Sequence, residues 1–185
     1  MCDMTERKVR ETMIYQGKIL DLYKDDILLP DGKPGIREYI RHIGASCVVP
    51  VSDSGDVYMV RQFRYPFHRV LLEIPAGKLD GKEEDPLEAA KRELREETGA
   101  EASEWISLGA YYPTCAYSDE VIHMYLAKGL RFGSTDPDDD EFIETEPIPL
   151  ADLIEMIMND QIRDGKTQTA LLKAYRFLQA EKRTN

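Results

Sequence analysis

Apolar positions change period along this chain, and the changes mark its elements. Residues 9–43 read as an antiparallel piece. Residues 14–17 lead into 18–29, where apolar and polar residues roughly alternate; Pro30-Asp31-Gly32-Lys33 is a turn signal, and 36–42 return. Strands at 45–52 and 56–64 flank a Ser-Gly turn, and another at 70–74 runs into the Pro75-Ala76-Gly77 loop. The period then becomes helical, with Leu87, Ala90 and Leu94 facing a core. Asp85 is placed to cap this helix, Pro86 suits its first position, Glu88 completes a capping box, and Gly99 ends it in a left-handed turn. Strands are expected at 105–112, 120–127 and 142–148. Two helices follow, 149–158 with Leu150, Leu153, Ile154 and Ile157 inward, and 167–181 with Leu171, Ala174, Tyr175 and Leu178 on one face.

Strands on both sides of a central helix, with helices at the end, predict an α/β sandwich around a mixed sheet. The first 43 residues hold only three short strands, a poor independent core. They are expected to pack on the main domain, residues 44–185, or on a second subunit.

Composition narrows the function classes. The 185 residues suit one domain with a small appendage, and 42% hydrophobic residues suffice for a core. The net charge of −11 disfavours nucleic acid and anionic membrane as partners. The best apolar run, 45–51, is the length of a buried strand rather than a membrane span. The N-terminus lacks the basic and apolar regions of a signal peptide. Cys2, Cys47 and Cys115 are odd in number and widely spaced, which indicates neither a disulfide framework nor a zinc site. Cytoplasm is the expected compartment.

Candidate chemistry lies on the central helix. Glu93, Glu96 and Glu97 are three and four residues apart, so their carboxylates crowd one side near the helix's negative C-terminal end. Such a run is often a solvated acidic face. Beside a glycine loop it also suits a hard divalent cation, which takes carboxylate oxygens and leaves positions for water or phosphate.

Residues 92–100, Arg-Glu-Leu-Arg-Glu-Glu-Thr-Gly-Ala, with Glu84 and Gly77 before them, resemble the Nudix box, G-x5-E-x7-R-E-U-x-E-E-x-G-U with U aliphatic. Seven residues separate Glu84 from Arg92, as in the box, but six rather than five separate Gly77 from Glu84. Either the turn at Asp80-Gly81-Lys82 carries one extra residue or Glu83 takes the glutamate's role. The resemblance covers most of the chain. Residues 60–66, 71–80 and 118–123, Glu141-Phe142-Ile143-Glu144 and residues 162–167 are similar to the ADP-ribose pyrophosphatase branch.

The resemblance implies a Nudix fold, an α/β/α sandwich with an N-terminal antiparallel β piece, and a homodimer in which that piece crosses to the partner. It implies Mg²⁺-dependent hydrolysis of ADP-ribose to AMP and ribose 5-phosphate, or of a related nucleoside diphosphate sugar such as UDP-glucose or GDP-mannose, with Mn²⁺ able to substitute. Matched position by position, Glu93, Glu96, Glu97 and the Ala76 carbonyl become metal ligands, and Arg92 tethers the helix by ion pairing. Arg64 holds the diphosphate, Glu38 reads the adenine edge from the other subunit, and Arg41, Glu73 and Pro113 complete the substrate site. Glu141, in a loop with Asp136, Asp138, Asp139 and Asp140, matches the glutamate that orients or deprotonates the attacking water, with Glu96 or Glu97 next.

Two departures bear on substrate choice. Thr114-Cys115-Ala116 follows Pro113 where relatives preferring ADP-ribose carry Ser-Pro-Gly, and Ile19 stands where some present an aromatic; Tyr15, Tyr23 or Tyr39 can supply a ring instead. Some Nudix domains are non-catalytic sensors that have lost box glutamates. All three are retained here, which favours an enzyme.

Overall fold

A computed structural model describes residues 3–133 and 142–184. Their contacts divide the chain into two units, residues 1–43 with 112–121, and residues 44–111 with 122–185.

The smaller unit is an antiparallel meander of β1 (Arg7–Gln16), β2 (Asp21–Leu28) and β3 (Pro34–Arg41), with Tyr23 opposite both Met13 and Tyr39. Gly32 makes the β2–β3 turn at a φ of 83°, in the left-handed region where glycine carries no Cβ penalty. Segment 112–121 closes on β3: Ile40 N–H donates to the Tyr117 carbonyl and the His42 amide to the Asp119 carboxylate. Only Tyr23, Asp25 and Ile27 are buried on β2, while β1 is exposed along its whole length.

The larger unit holds two sheets. In one, β10 (Ile143–Pro149), β5 (Asp56–Arg64) and β6 (Arg69–Glu73) run antiparallel in that order. In the other the order is β7 (Ala76–Lys78), β4 (Ala45–Pro50), β9 (Ile122–Phe132) and β8 (Ala100–Tyr111), with β4 parallel to β9 and the other pairs antiparallel. This is a mixed sheet. Side chains alternate across β4. Cys47, Val49 and Val51 join the core formed with α2 (Leu150–Met158) and α3 (Gly165–Thr184), through Leu153, Ile157, Leu171 and Ala174. Val48 points the other way, onto Leu94 of α1 (Pro86–Thr98) with Ala100 and Ala127. Two helical layers thus sandwich one sheet.

Three elements differ from the sequence expectation. Ala76–Lys78 forms a short strand rather than a loop because it pairs with β4. β8 starts at Ala100, directly after the helix, because its first residues find partners at Leu130, Arg131 and Phe132 at the extended end of β9. The last helix starts at Gly165, with the Asp164 carboxylate accepting from the Thr167 amide (2.9 Å).

Helix α1 is bounded by local chemistry. The Asp85 carboxylate accepts from the Leu87 amide at 2.7 Å, and Glu88 turns to Lys91 at 2.7 Å. Gly99 adopts a φ of 69° and donates to the Arg95 carbonyl, a left-handed stop. Replacing Asp85 with Ala should cost about 1 kcal/mol. The check is the midpoint of urea unfolding, which should fall while the slope stays that of the parent.

Candidate active site

The α1 face carrying the glutamates is turned inward. Glu93 and Glu97 are 8% and 5% exposed, and Glu96 is half-buried. Arg92 gathers the surrounding carboxylates. Its Nη1 donates to Glu93 (2.7 Å) and Glu96 (3.1 Å), Nε reaches Glu84 (3.4 Å), and Nη2 donates to the Lys78 carbonyl (3.0 Å). Burial pulls the Arg92 pKa down, but the charge of Glu93 and the bonds to Glu93 and Glu84 more than offset it, so the guanidinium stays charged.

Of the two candidates for the first box glutamate, Glu84 is the one that reaches Arg92. Glu84 bonds Arg92 and also accepts from the Asp80 amide (2.5 Å), while Glu83 is exposed. The extra residue is taken up in the turn between them, closed by the Glu84 amide on the Gly81 carbonyl.

The glycine loop is shaped around the glutamates. A Cβ on Gly77 would run into the Glu93 carboxylate as it now lies, so the glycine lets that side chain rest against the loop. The Ala76 amide donates to Glu97 at 3.1 Å. Arg92 shares one positive charge among Glu84, Glu93 and Glu96, so carboxylates outnumber the cation. Among the described residues no three His, Cys, Asp or Glu side chains close on one point, and Arg92 lies between two of the acids. In donor chemistry and charge the set suits a hard divalent cation.

A second cluster lies behind Arg64, at the end of β5. Its Nε and Nη2 grip both oxygens of Glu73 at 2.7 and 2.8 Å, a bidentate fork. Glu73 is 2% exposed and also accepts from Lys166, which holds Asp164 at 2.9 Å. Burial would raise the Glu73 pKa; the Arg64 hydrogen bonds and the Lys166 charge more than offset this and hold it at about 2. The Ala76 amide, three residues after Glu73, donates to Glu97, which brings this cluster close to the α1 glutamates. The Cys47 thiol, pushed up to about 12 by burial, is inert.

Lys166, Asp164 and Thr167 had no role in the sequence reading. Their signal was an Asp at a helix start followed two residues later by a lysine, among residues 162–167. Glu38, Arg41 and Pro113 lie in the smaller unit. Arg41 stacks 4.0 Å over the Tyr23 ring and bonds Glu11 (2.8 Å), Tyr23 stacks on Tyr39, and Glu38 is exposed on β3. Ile19 is exposed. Glu141 and Asp136, Asp138, Asp139 and Asp140 fall outside the described residues.

Residues 40–169 match the NUDIX domain. This chain is a Nudix hydrolase. Residues 6–40 of the hydrolase match the nucleoside diphosphate sugar hydrolase N-terminal domain. It is 39% identical over 186 residues to the ADP-ribose pyrophosphatase of Bacillus subtilis (strain 168), covering 98% of this chain and 100% of that one. It is 37% identical over 168 residues to the methanol dehydrogenase activator of Bacillus methanolicus, 90% of each chain. Its fold is that of the crystal structure of an ADP compounds hydrolase, with a TM-score of 0.85 over 95% of each chain at 20% identity. No helix among the hydrolase's described residues is long and apolar enough to cross a membrane.

Because Glu73 ionises at about 2 in the folded hydrolase against an ordinary 4.5, its contribution to stability is full above pH 4.5 and falls away towards pH 2. Urea unfolding across that window should show less acid-side loss for Glu73→Gln than for the parent. Parallel curves would contradict the ion-paired assignment.

Proposed function

We propose that this Nudix hydrolase cleaves the diphosphate of ADP-ribose, or of a related nucleoside diphosphate sugar, giving AMP and ribose 5-phosphate from ADP-ribose. The observation that carries this reading is the buried Glu93–Glu97 face of α1, fitted against Gly77 and gathered by Arg92, with Arg64 beside it. Such a face is matched by a divalent cation together with an anionic diphosphate. The full-length similarity to an ADP-ribose pyrophosphatase and the N-terminal match to nucleoside diphosphate sugar hydrolases support the substrate class.

Glu93, Glu96, Glu97 and the Ala76 carbonyl would hold Mg²⁺, with Mn²⁺ as a substitute in an all-oxygen site. When bound, the metal neutralises diphosphate charge and lowers the pKa of water. The chain's own groups do the rest. Arg64 uses Nε and Nη2 on Glu73, which leaves the Nη1 edge to take a phosphate oxygen of the bound diphosphate. Arg92 keeps the glutamates from splaying, and Gly77 admits the Glu93 carboxylate. Glu141 is the proposed base for the attacking water, with Glu96 or Glu97 next. Glu38, Arg41 and Pro113 are the proposed nucleoside contacts, with the Tyr23–Tyr39 pair supplying rings.

The smaller unit exposes Val9, Met13, Ile14, Tyr15, Ile19 and Ile36, more apolar surface than three strands should leave to water. A second copy of the chain is the proposed cover, giving a homodimer. The free thiols of Cys47 and Cys115 and the acidic charge suit a cytoplasmic enzyme without nucleic-acid or membrane partners.

The deciding measurement is kcat/KM with Mg²⁺ for ADP-ribose, ADP-glucose, UDP-glucose, GDP-mannose, NADH and dinucleoside polyphosphates. ADP-ribose should lead, and negligible rates throughout would refute the proposal. In the same assay Glu97→Gln should lose at least about a hundredfold in kcat with an unchanged melting temperature, the several kcal/mol expected of a metal ligand. Sedimentation velocity should give the mass of two chains; a monomer at micromolar concentration would remove the dimer.

A further inference from the structure

Arg64 ends strand β5 and precedes an exposed 3-10 turn, Tyr65–Phe67. A long side chain at such a place samples many rotamers unless something fixes it. The fork on Glu73 does so. What fixes Glu73 lies ninety-odd residues away, in the four residues that open α3.

Each member of that tetrad has its own task. Asp164 accepts from the Thr167 amide at 2.9 Å and from the Thr167 hydroxyl at 2.6 Å, which ties down the start of the helix. Gly165 leaves room for Tyr111, whose hydroxyl would stand 2.5 Å from a Cβ there. Lys166, with its side chain 12% exposed, bridges Asp164 and Glu73. Thr167 is fully buried and its hydroxyl accepts from the Ile74 amide at 3.1 Å, gripping the backbone next to Glu73. Glu73 is therefore held by its side chain through Lys166 and by its neighbour's backbone through Thr167.

The charges add a second argument. Arg64 and Lys166 balance Glu73 and Asp164, so the four together carry no net charge. Without Lys166 the carboxylate of Glu73 would belong to Arg64 alone, and Asp164 would add negative charge behind it. With Lys166 present, Glu73 divides its charge between two cations, so Arg64 keeps positive charge to offer a ligand.

We infer that Lys166, anchored by Asp164, is a positioning residue that sets both the orientation and the available charge of Arg64 through Glu73. This rests on the reading of Arg64 as the arginine that holds the diphosphate of the substrate. Lys166 itself touches no substrate.

A double-mutant cycle on the full-length protein with ADP-ribose and Mg²⁺ tests it. Arg64→Ala should raise KM by about tenfold or more, the loss of a charge-assisted contact. Lys166→Met in the parent should raise KM by about three- to tenfold and leave kcat within about twofold. Lys166→Arg, which keeps the charge, should recover most of that loss. In the Arg64→Ala background Lys166→Met should change KM by less than about twofold, because the residue it acts through is gone. A purely structural lysine would lower the melting temperature equally in both backgrounds and shift KM in neither or in both. Asp164→Asn, which keeps the shape of the helix start, serves the same cycle should Lys166→Met fail to fold, and the same non-additivity is expected. Additive effects on KM would overturn this inference alone. A parent-like KM for Arg64→Ala would overturn the reading of Arg64 and this inference with it.

Discussion

Two glutamates taken out of water near the negative end of a helix are the constraint from which the rest of the larger unit follows. Glu93 and Glu97 are unfavourable there on three counts: desolvation, mutual repulsion, and the helix dipole. Local devices offset part of this. Arg92 spreads one charge over Glu84, Glu93 and Glu96, the Ala76 amide donates to Glu97, and Gly77 omits the Cβ that would collide with Glu93. On the proposed function, a divalent cation bound with the substrate would supply further counter-charge. A fold that needed only stability would have put apolar side chains on this face. Retaining acids there makes sense for a surface whose counter-charge arrives with the substrate.

Beside it stands a cluster built on the opposite rule. Arg64, Glu73, Lys166 and Asp164 are balanced within themselves, and each charged group bonds its neighbour. Burial pulls the Lys166 pKa down, but Asp164 and Glu73 more than offset that, so the lysine remains charged. A closed network of this kind is rigid because each displaced charge would be left unpaired in a poorly solvated place. On the proposed function, one cluster would accept charge and the other would hold a cation still. Glu97 acts on Arg64, so the two are electrostatically joined.

What the sequence disclosed follows this difference. The helix, its cap, its stop and its glutamate face are local, set by residues three or four apart, and all could be read in order: Asp85, Pro86, Leu94, Gly99. Glu83 against Glu84 could not be decided, because the choice depends on which carboxylate the Asp80 turn delivers to Arg92. The start of β8 was missed because Ala100-Glu101-Ala102-Ser103-Glu104 has little strand propensity; pairing with β9 imposes the strand. The Ala76–Lys78 strand was missed for the same reason. The Arg64–Glu73–Lys166 chain joins residues from β5, β6 and the start of α3, and no periodicity connects them. Asp164 and Lys166 stand some ninety residues from Glu73, and only the fold brings Glu73 between them and Arg64.

The division of the chain gives this arrangement a consequence for specificity. The groups assigned to charge handling, Glu93, Glu96, Glu97, Arg92, Ala76 and Arg64, all belong to the larger unit; Glu38, Arg41 and Pro113, assigned to the nucleoside, belong to the smaller. The first set is interlocked, since changing one glutamate alters the balance around Arg92 and, through Glu97, around Arg64. The second set belongs to the unit that holds the meander, in which Arg41 stacks on Tyr23 and Tyr23 on Tyr39. On the proposed assignment, substrate range can shift through residues such as Ile19 or Thr114 while the hydrolytic centre stays as it is. This is a physical route by which one diphosphate-cleaving core can serve several nucleoside diphosphate sugars.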